Sequence, residues 1–290
     1  MTQAPDRIYK ADSTKDLGII VDDGAAQTVV TSTSYWGKRF YNVDYGAEFN
    51  PAEMGRGGLE DFIVEQVLLG RQVWDALADT GVYWLNIDDT NSGSGGAGGD
   101  HSSKGSKGAH TGDGGIARYK QGRSGLPAGQ QCLIPQRIAL ALQEDGWIVK
   151  KWITWDKGTP YEEIGPDGET LNFARGGIKP EDPRHVRRPR FASETILMLV
   201  KDVKTFAYYP EHEVEPGDVW HFPGKKGGKR VGPAPFPDEL PKRCILLTSQ
   251  PGELVVDPCI GSGTTGRVAE ELDRPWIGVD LYKGVRPRRS

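Results

Sequence analysis

Apolar positions along the chain recur in two alternating rhythms. Residues 27 to 32, Gln-Thr-Val-Val-Thr-Ser, form a short β-branched run that predicts a strand. Residues 59 to 79 carry apolar side chains at helical spacing through Leu59, Phe62, Ile63, Val67, Leu68, Val73, Trp74 and Leu77, and Val82 to Ile87 is strand-like again. This β-α-β succession predicts a mostly parallel sheet. Further along, Ile134 to Leu142 predicts a helix, Trp147 to Trp155 a strand, and Thr195 to Val200 another apolar run. The last pattern begins at Val255-Val256-Asp257, passes through a glycine loop and an amphipathic segment, and ends on Trp276-Ile277-Gly278-Val279-Asp280.

Two stretches break the rhythm. From residue 91 to 129 the chain is rich in glycine and serine, with Lys104, Lys107, Arg118, Lys120 and Arg123 scattered through it. It lacks apolar residues to offset the entropy of ordering, so a flexible loop that orders on a partner is expected. Residues 156 to 190 are dense in Gly, Pro and charge and read as an insertion on the scaffold, the natural place for target recognition, with Tyr161, Phe173 and His185 available to meet a ligand or to anchor the insertion.

A chain of 290 residues with 37% hydrophobic content buries a substantial core within one domain. No apolar run approaches the roughly 20 residues that a membrane helix needs, so a cytoplasmic protein with no membrane association is expected. Cys132, Cys244 and Cys259 are widely spaced, with no C-x-x-C pair, and suggest neither a disulfide framework nor a metal. Asp88-Asp89 reads as a turn rather than as a metal pair, and His101 and His110 have no ligand spacing. The net charge of −4 argues against a uniformly basic surface. Local cations do concentrate at Arg184, Arg187, Arg188 and Arg190 and at Lys225, Lys226, Lys229 and Arg230, in proline- or glycine-broken segments suited to phosphate contacts.

The glycine loop Asp257-Pro258-Cys259-Ile260-Gly261-Ser262-Gly263-Thr264-Thr265-Gly266 carries the chemistry. A strand, a glycine turn, a helix and a second strand ending in an acid form a Rossmann-type half-site for an adenosine cofactor. The loop lacks the G-K-[ST] of a phosphate loop, which disfavours nucleoside triphosphates, and S-adenosylmethionine is the expected cofactor.

These residues resemble the DNA amino-methyltransferases, whose cofactor loop reads D-P-F-x-G-S-G-T-T; Cys259 stands at the position of its Phe. The family's second motif, T-S-P-P-Y-W-G, is matched by Thr31-Ser32-Thr33-Ser34-Tyr35-Trp36-Gly37. Catalytic loop first and cofactor loop last is the order of the family's beta class. Residues 83–89, 139–147 and 236–241 extend the resemblance over most of the chain. It implies an α/β, Rossmann-like methyltransferase fold with helices on both faces of a mostly parallel sheet, one catalytic domain over residues 1–290, double-stranded DNA as partner, no metal, and a separate nuclease for any restriction role.

Residue by residue, the resemblance implies Ser32 as a side-chain acceptor for the target amine, the Thr33 carbonyl as a second acceptor, and Tyr35 as the platform on which a flipped base stacks. Ser34 completes that loop. Trp36, which could equally be a core residue, is expected at the DNA with Lys38, Arg39, Arg187, Arg188, Arg190, Lys225 and Lys226. Asp257, Gly261, Ser262, Gly263 and Thr264 would cradle the cofactor, Asp280 its ribose, and Phe236 would help close the site. N4 of cytosine is favoured over N6 of adenine by the Ser-x-x-Tyr-Trp form.

One departure stands out: Thr33 and Ser34 replace both prolines. Proline fixes φ and removes an N–H, so the loop here starts with more conformational freedom than the family pattern. Three consequences compete. Packing holds the loop and methylation proceeds; catalysis is impaired and the protein binds DNA only; or the pocket takes a polar or carboxylated S-adenosylmethionine derivative.

Overall fold

The computed structural model describes residues 7–37, 41, 47–48, 50–92, 123–157, 162–164, 170–172, 193–224 and 236–284. Strands are β1 (Arg7–Lys10), β2 (Ala26–Ser32), β3 (Leu77–Ile87), β4 (Ile148–Asp156), β5 (Glu162–Ile164), β6 (Thr170–Asn172), β7 (Ser193–Val200), β8 (Val219–His221), β9 (Leu254–Asp257) and β10 (Trp276–Asp280). Helices are α1 (Leu59–Ala76), α2 (Ile134–Glu144), α3 (Glu239–Thr248) and α4 (Thr264–Glu271).

Eight strands form one sheet in the order β1-β10-β9-β2-β3-β7-β4-β8. All neighbours pair in parallel except β7, which runs antiparallel to both β3 and β4. The α/β, mostly parallel expectation holds. Helices α1 and α2 cover the face bearing Tyr83, Leu85, Leu197 and Leu199, whereas α3 and α4 cover the face bearing Val82, Trp84, Ile196 and Met198. Alternate residues of β3 and β7 therefore enter opposite cores, the period-2 geometry of a strand buried on both sides.

The connection from β2 through α1 leads to β3 on one side, while that from β9 through α4 leads to β10 on the other. Strands β2 and β9 are neighbours, with Thr28 opposite Val255 and Val29 opposite Val256. Strand order reverses between them, and open α/β sheets bind ligands in the crevice at such a point.

Helix α1 differs in detail from the apolar spacing. Gln66, Leu69, Gly70 and Ala76 are buried, Leu68 is exposed, and the helix stops at Ala76 so that Leu77 opens β3. The stripe is set by α2: a Cβ on Gly70 would lie 2.7 Å from Leu142 Cδ2, so only glycine lets the two helices approach this closely. The 91–129 stretch is anchored at its base, where Ser92 and Ser124 share a hydroxyl hydrogen bond of 2.9 Å and both are buried. Within the 156–190 insertion, β5 and β6 pair antiparallel as a separate two-stranded sheet; Tyr161, Phe173 and His185 lie outside the described residues. Asp89 is buried, accepting from the Thr90 and Ile134 amides, the Leu133 amide and the Gln131 side chain. It organises the turn into α2. Among the described residues no helix is long and apolar enough to cross a membrane.

Candidate active site

The carboxyl ends of β2 and β3, and the amino end of β7, meet at one edge of the sheet. Because β7 alone is reversed, its first residues lie beside the last residues of its neighbours: Asn86 pairs with Ile196 and Trp155 with Glu194. At this edge the Tyr35 hydroxyl donates to Glu194 Oε2 at 2.6 Å. It lies 3.1 Å from Asn86 Oδ1 and accepts from Ser32 Oγ at 3.1 Å. Asn86 Nδ2 donates to the same Glu194 oxygen at 3.1 Å, and Lys157 pairs with the other one. Burial first, then the Glu194 charge, pushes the Tyr35 phenol well above its ordinary value, so it remains a hydrogen-bond donor.

Thr33 is buried, and its Oγ1 has no hydrogen-bond partner. Ser34 is half-buried. Trp36 corrects the expectation of a DNA contact: it is 1% exposed, packs in the core beneath α1, and donates its indole N–H to the Gly57 carbonyl at 3.2 Å. Its large apolar ring is worth more to the core than to a wet surface.

Across the crevice, Asp257 ends β9. Its carboxylate accepts from the Thr31 hydroxyl at 2.7 Å, the Thr265 hydroxyl at 2.6 Å and the Cys259 amide at 3.0 Å. Burial raises its pKa to about 6, against the lowering effect of those three donors. Gly261 and Gly263 adopt φ of +47° and +91°, which a side chain would strain, and the turn delivers the chain into α4 at Thr264. Ser262 and Thr264 share a hydroxyl contact of 3.1 Å. Glycine recurs where α4 meets β10, since a Cβ on Gly266 would lie 2.6 Å from the Trp276 ring.

Asp280 ends β10, buried, with its Oδ1 accepting from the Tyr282 and Lys283 amides at 2.7 and 3.1 Å. Phe236 is partly buried against the core that holds Val30 and Val255. Glu53, from the segment before α1, pairs with Arg56 at 2.9 Å and accepts from the Tyr282 hydroxyl beyond β10, which ties the two sides of the crevice together.

The structure thus brings Ser32, Thr33, Tyr35, Asp257, Gly261, Ser262, Gly263, Thr264 and Asp280 to the switch-point edge of one sheet. Lys38, Arg39, Arg187, Arg188, Arg190, Lys225 and Lys226 lie outside the described residues. Sequence reading missed Thr31, Asn86, Glu194 and Lys157 as partners of the site; Thr265, expected to offer its hydroxyl in the cofactor loop, gives it to Asp257. The one available signal for Glu194 was a carboxylate heading an otherwise apolar run. Among the described residues no group of three or more His, Cys, Asp or Glu side chains is arranged to hold a metal.

A doubly wound sheet with a glycine turn and a buried acid at its switch point defines a Rossmann-like fold with its ligand crevice at that point. The DNA methylase family pattern for N6 and N4 amino-methyltransferases matches residues 26–286. The type II methyltransferase M.SmaI of Serratia marcescens is 32% identical over 278 residues, 90% of this chain and 82% of the relative. M.Cfr9I of Citrobacter freundii is 30% identical over 274 residues, 89% of this chain and 78% of the relative. Among solved structures, the PvuII DNA methyltransferase (cytosine-N4-specific) superposes with a TM-score of 0.62 at 17% identity, covering 96% of this chain and 83% of that one. The chain belongs to the DNA methylase family, in its beta class, and is a DNA amino-methyltransferase.

Proposed function

We propose that the chain moves a methyl group from S-adenosylmethionine to the exocyclic amine of a base flipped out of duplex DNA, with N4 of cytosine favoured over N6 of adenine. The observation that carries this is the placement of Ser32 and Tyr35 at the end of β2, joined through Thr31 to the Asp257 loop at the end of β9. Support for cytosine comes from the Ser-x-x-Tyr-Trp form of residues 32–36 and from the cytosine-N4 specificity named for the PvuII enzyme that shares the fold.

The crevice suits the donor. Positive φ at Gly261 and Gly263 lets the backbone approach a ligand, and the α4 amino terminus presents N–H groups beside them. The buried, unpartnered Thr33 Oγ1 costs about 1–3 kcal/mol, which a polar group of a bound ligand relieves. Asp257, Gly261, Ser262, Gly263 and Thr264 would hold the donor, Asp280 its ribose, and Phe236 would flank it. When bound, the donor supplies a methyl group activated on a sulfonium.

The chain's own work is positioning. An exocyclic amine is a poor nucleophile because its lone pair is delocalised into the ring. Ser32 Oγ and the Thr33 carbonyl would accept its two N–H groups and orient the nitrogen, while the Tyr35 ring stacks on the base. Trp36 supports this loop from below. Residues 1–290 would act as one catalytic domain, with residues 91–129 and 156–190 and the cations Lys38, Arg39, Arg187, Arg188, Arg190, Lys225 and Lys226 meeting DNA phosphates. A restriction role requires a separate nuclease.

Incubation with duplex DNA and S-adenosylmethionine, followed by digestion and nucleoside mass spectrometry, tests the reading. One methyl gained on deoxycytidine supports it, and one on deoxyadenosine reassigns the base. Intact donor binding with no methylated nucleoside overturns it.

A further inference from the structure

The loop from Thr33 to Trp36 has neither proline of its family's pattern, yet its aromatic residue is tied down at the far end of its side chain. Three side chains from three strands converge on the Tyr35 hydroxyl: Ser32 of β2, Asn86 of β3 and Glu194 of β7. Glu194 is the hub. Its side chain is 8% exposed; one oxygen accepts from Tyr35 and Asn86, and the other is held by Lys157, just past β4. Such a carboxylate is costly to bury and is stabilised only while all its donors stay in place, so it fixes their relative positions. Lys157 is itself held, with its ammonium 5.0 Å from the centre of the Trp155 ring.

We propose that Glu194 is the positioning residue of the catalytic loop: by gripping the Tyr35 hydroxyl from the reversed strand, it supplies the order that the two missing prolines would otherwise give. This rests on the functional reading above in taking Tyr35 as the base platform. Glu194 touches neither base nor donor; it acts through Tyr35. The grip also fixes where the ring lies, because a phenol held at its hydroxyl and at Cα has the line from Cβ to the oxygen set; rotation about that line is left to packing on the ring faces. Thr33 and Ser34 are thereby tolerated between Ser32 and Tyr35, whose side chains are bonded to each other across them.

The test uses Glu194→Gln, Tyr35→Phe and their combination, each with and without Thr33→Pro/Ser34→Pro. The first readout is amide hydrogen exchange across residues 31–37; the second is kcat and KM for methylation of duplex DNA. Glu194→Gln and Tyr35→Phe each speed exchange in that segment. Each lowers kcat on the order of 10- to 100-fold with KM for S-adenosylmethionine unchanged, because a mispositioned platform affects the reacting geometry rather than donor binding. The combination is no worse than either single change, and the two prolines recover most of the loss.

Unchanged exchange and unchanged kcat in Glu194→Gln and Tyr35→Phe overturn the proposal, as do losses that add independently. If wild type methylates nothing but Glu194→Gln still loosens residues 31–37, the functional reading fails and the grip stands. Should Glu194→Gln prove unfolded, Tyr35→Phe, which removes one hydroxyl and no charge, carries the same two readouts.

Discussion

The Thr31 hydroxyl donates to Asp257 Oδ1 at 2.7 Å, joining the strand that ends in the catalytic loop to the strand that ends in the cofactor loop. Both residues are buried, so no water replaces the bond when it is lost. Thr31→Val keeps the shape and removes the donor. It should destabilise the fold by about 1–3 kcal/mol, measured by urea unfolding, and weaken S-adenosylmethionine binding because Asp257 also holds Thr265 and the Cys259 amide. Unaltered stability and affinity would show that the two loops are independent.

Asp257 also predicts a pH dependence. Its pKa of about 6 in the fold lies above its ordinary 3.8, so the folded protein holds this proton more tightly than the unfolded chain. The associated stability is fully present below pH 3.8 and is lost as pH rises through about 6. A shift of this size corresponds to roughly 3 kcal/mol. The difference in unfolding free energy between wild type and Asp257→Asn should therefore change across that window and stay flat above pH 7 or so. Parallel curves for the two proteins would contradict the buried, raised carboxyl.

Gly266 is required by packing. A methyl there meets the Trp276 ring at 2.6 Å, so Gly266→Ala must push α4 off β10 and should cost about 1–3 kcal/mol. Gly18→Ala is the control, since nothing lies within 4 Å of the added carbon. Thermal unfolding of the two variants side by side should separate them clearly.

Trp36 should behave as a core residue. Trp36→Ala is expected to cost about 3–5 kcal/mol of stability. The milder Trp36→Phe should leave the affinity for duplex DNA at fixed salt unchanged, because a core ring makes no DNA contact. Weaker DNA binding by a folded Trp36→Phe would restore this residue to the DNA surface.

Much of the fold was legible because its signals are local. The β-branched run before Ser32, the apolar stretch ending at Ile87 and the glycine turn after Asp257 each reveal their geometry within about ten residues. The predicted helix at 59–79 was right in kind and largely in facing: Leu59, Phe62, Ile63 and Val73 are buried, whereas Leu68 is exposed and Gln66, Leu69 and Gly70 join the buried stripe. Its buried stripe depends on how closely Gly70 lets α2 approach, a contact with Leu142 that no period within α1 encodes.

Within the candidate site, the chain by itself determined the loops: Ser32 to Tyr35, the glycine run from Gly261 to Thr264, and the closing acid Asp280. Only the tertiary structure decided their partners. Thr31 and Asp257 are 226 positions apart, and Tyr35 and Glu194 are 159 apart. The reversal of β7, which carries Glu194 to the catalytic edge, is a property of strand order in the sheet. Trp36 shows the same division: its motif allowed either a DNA contact or a core role, and burial beneath α1 put its ring in the core. Short-range patterns specify backbone shape and the chemical groups a loop carries, whereas a hydrogen bond between distant residues exists only once the whole sheet has closed around it.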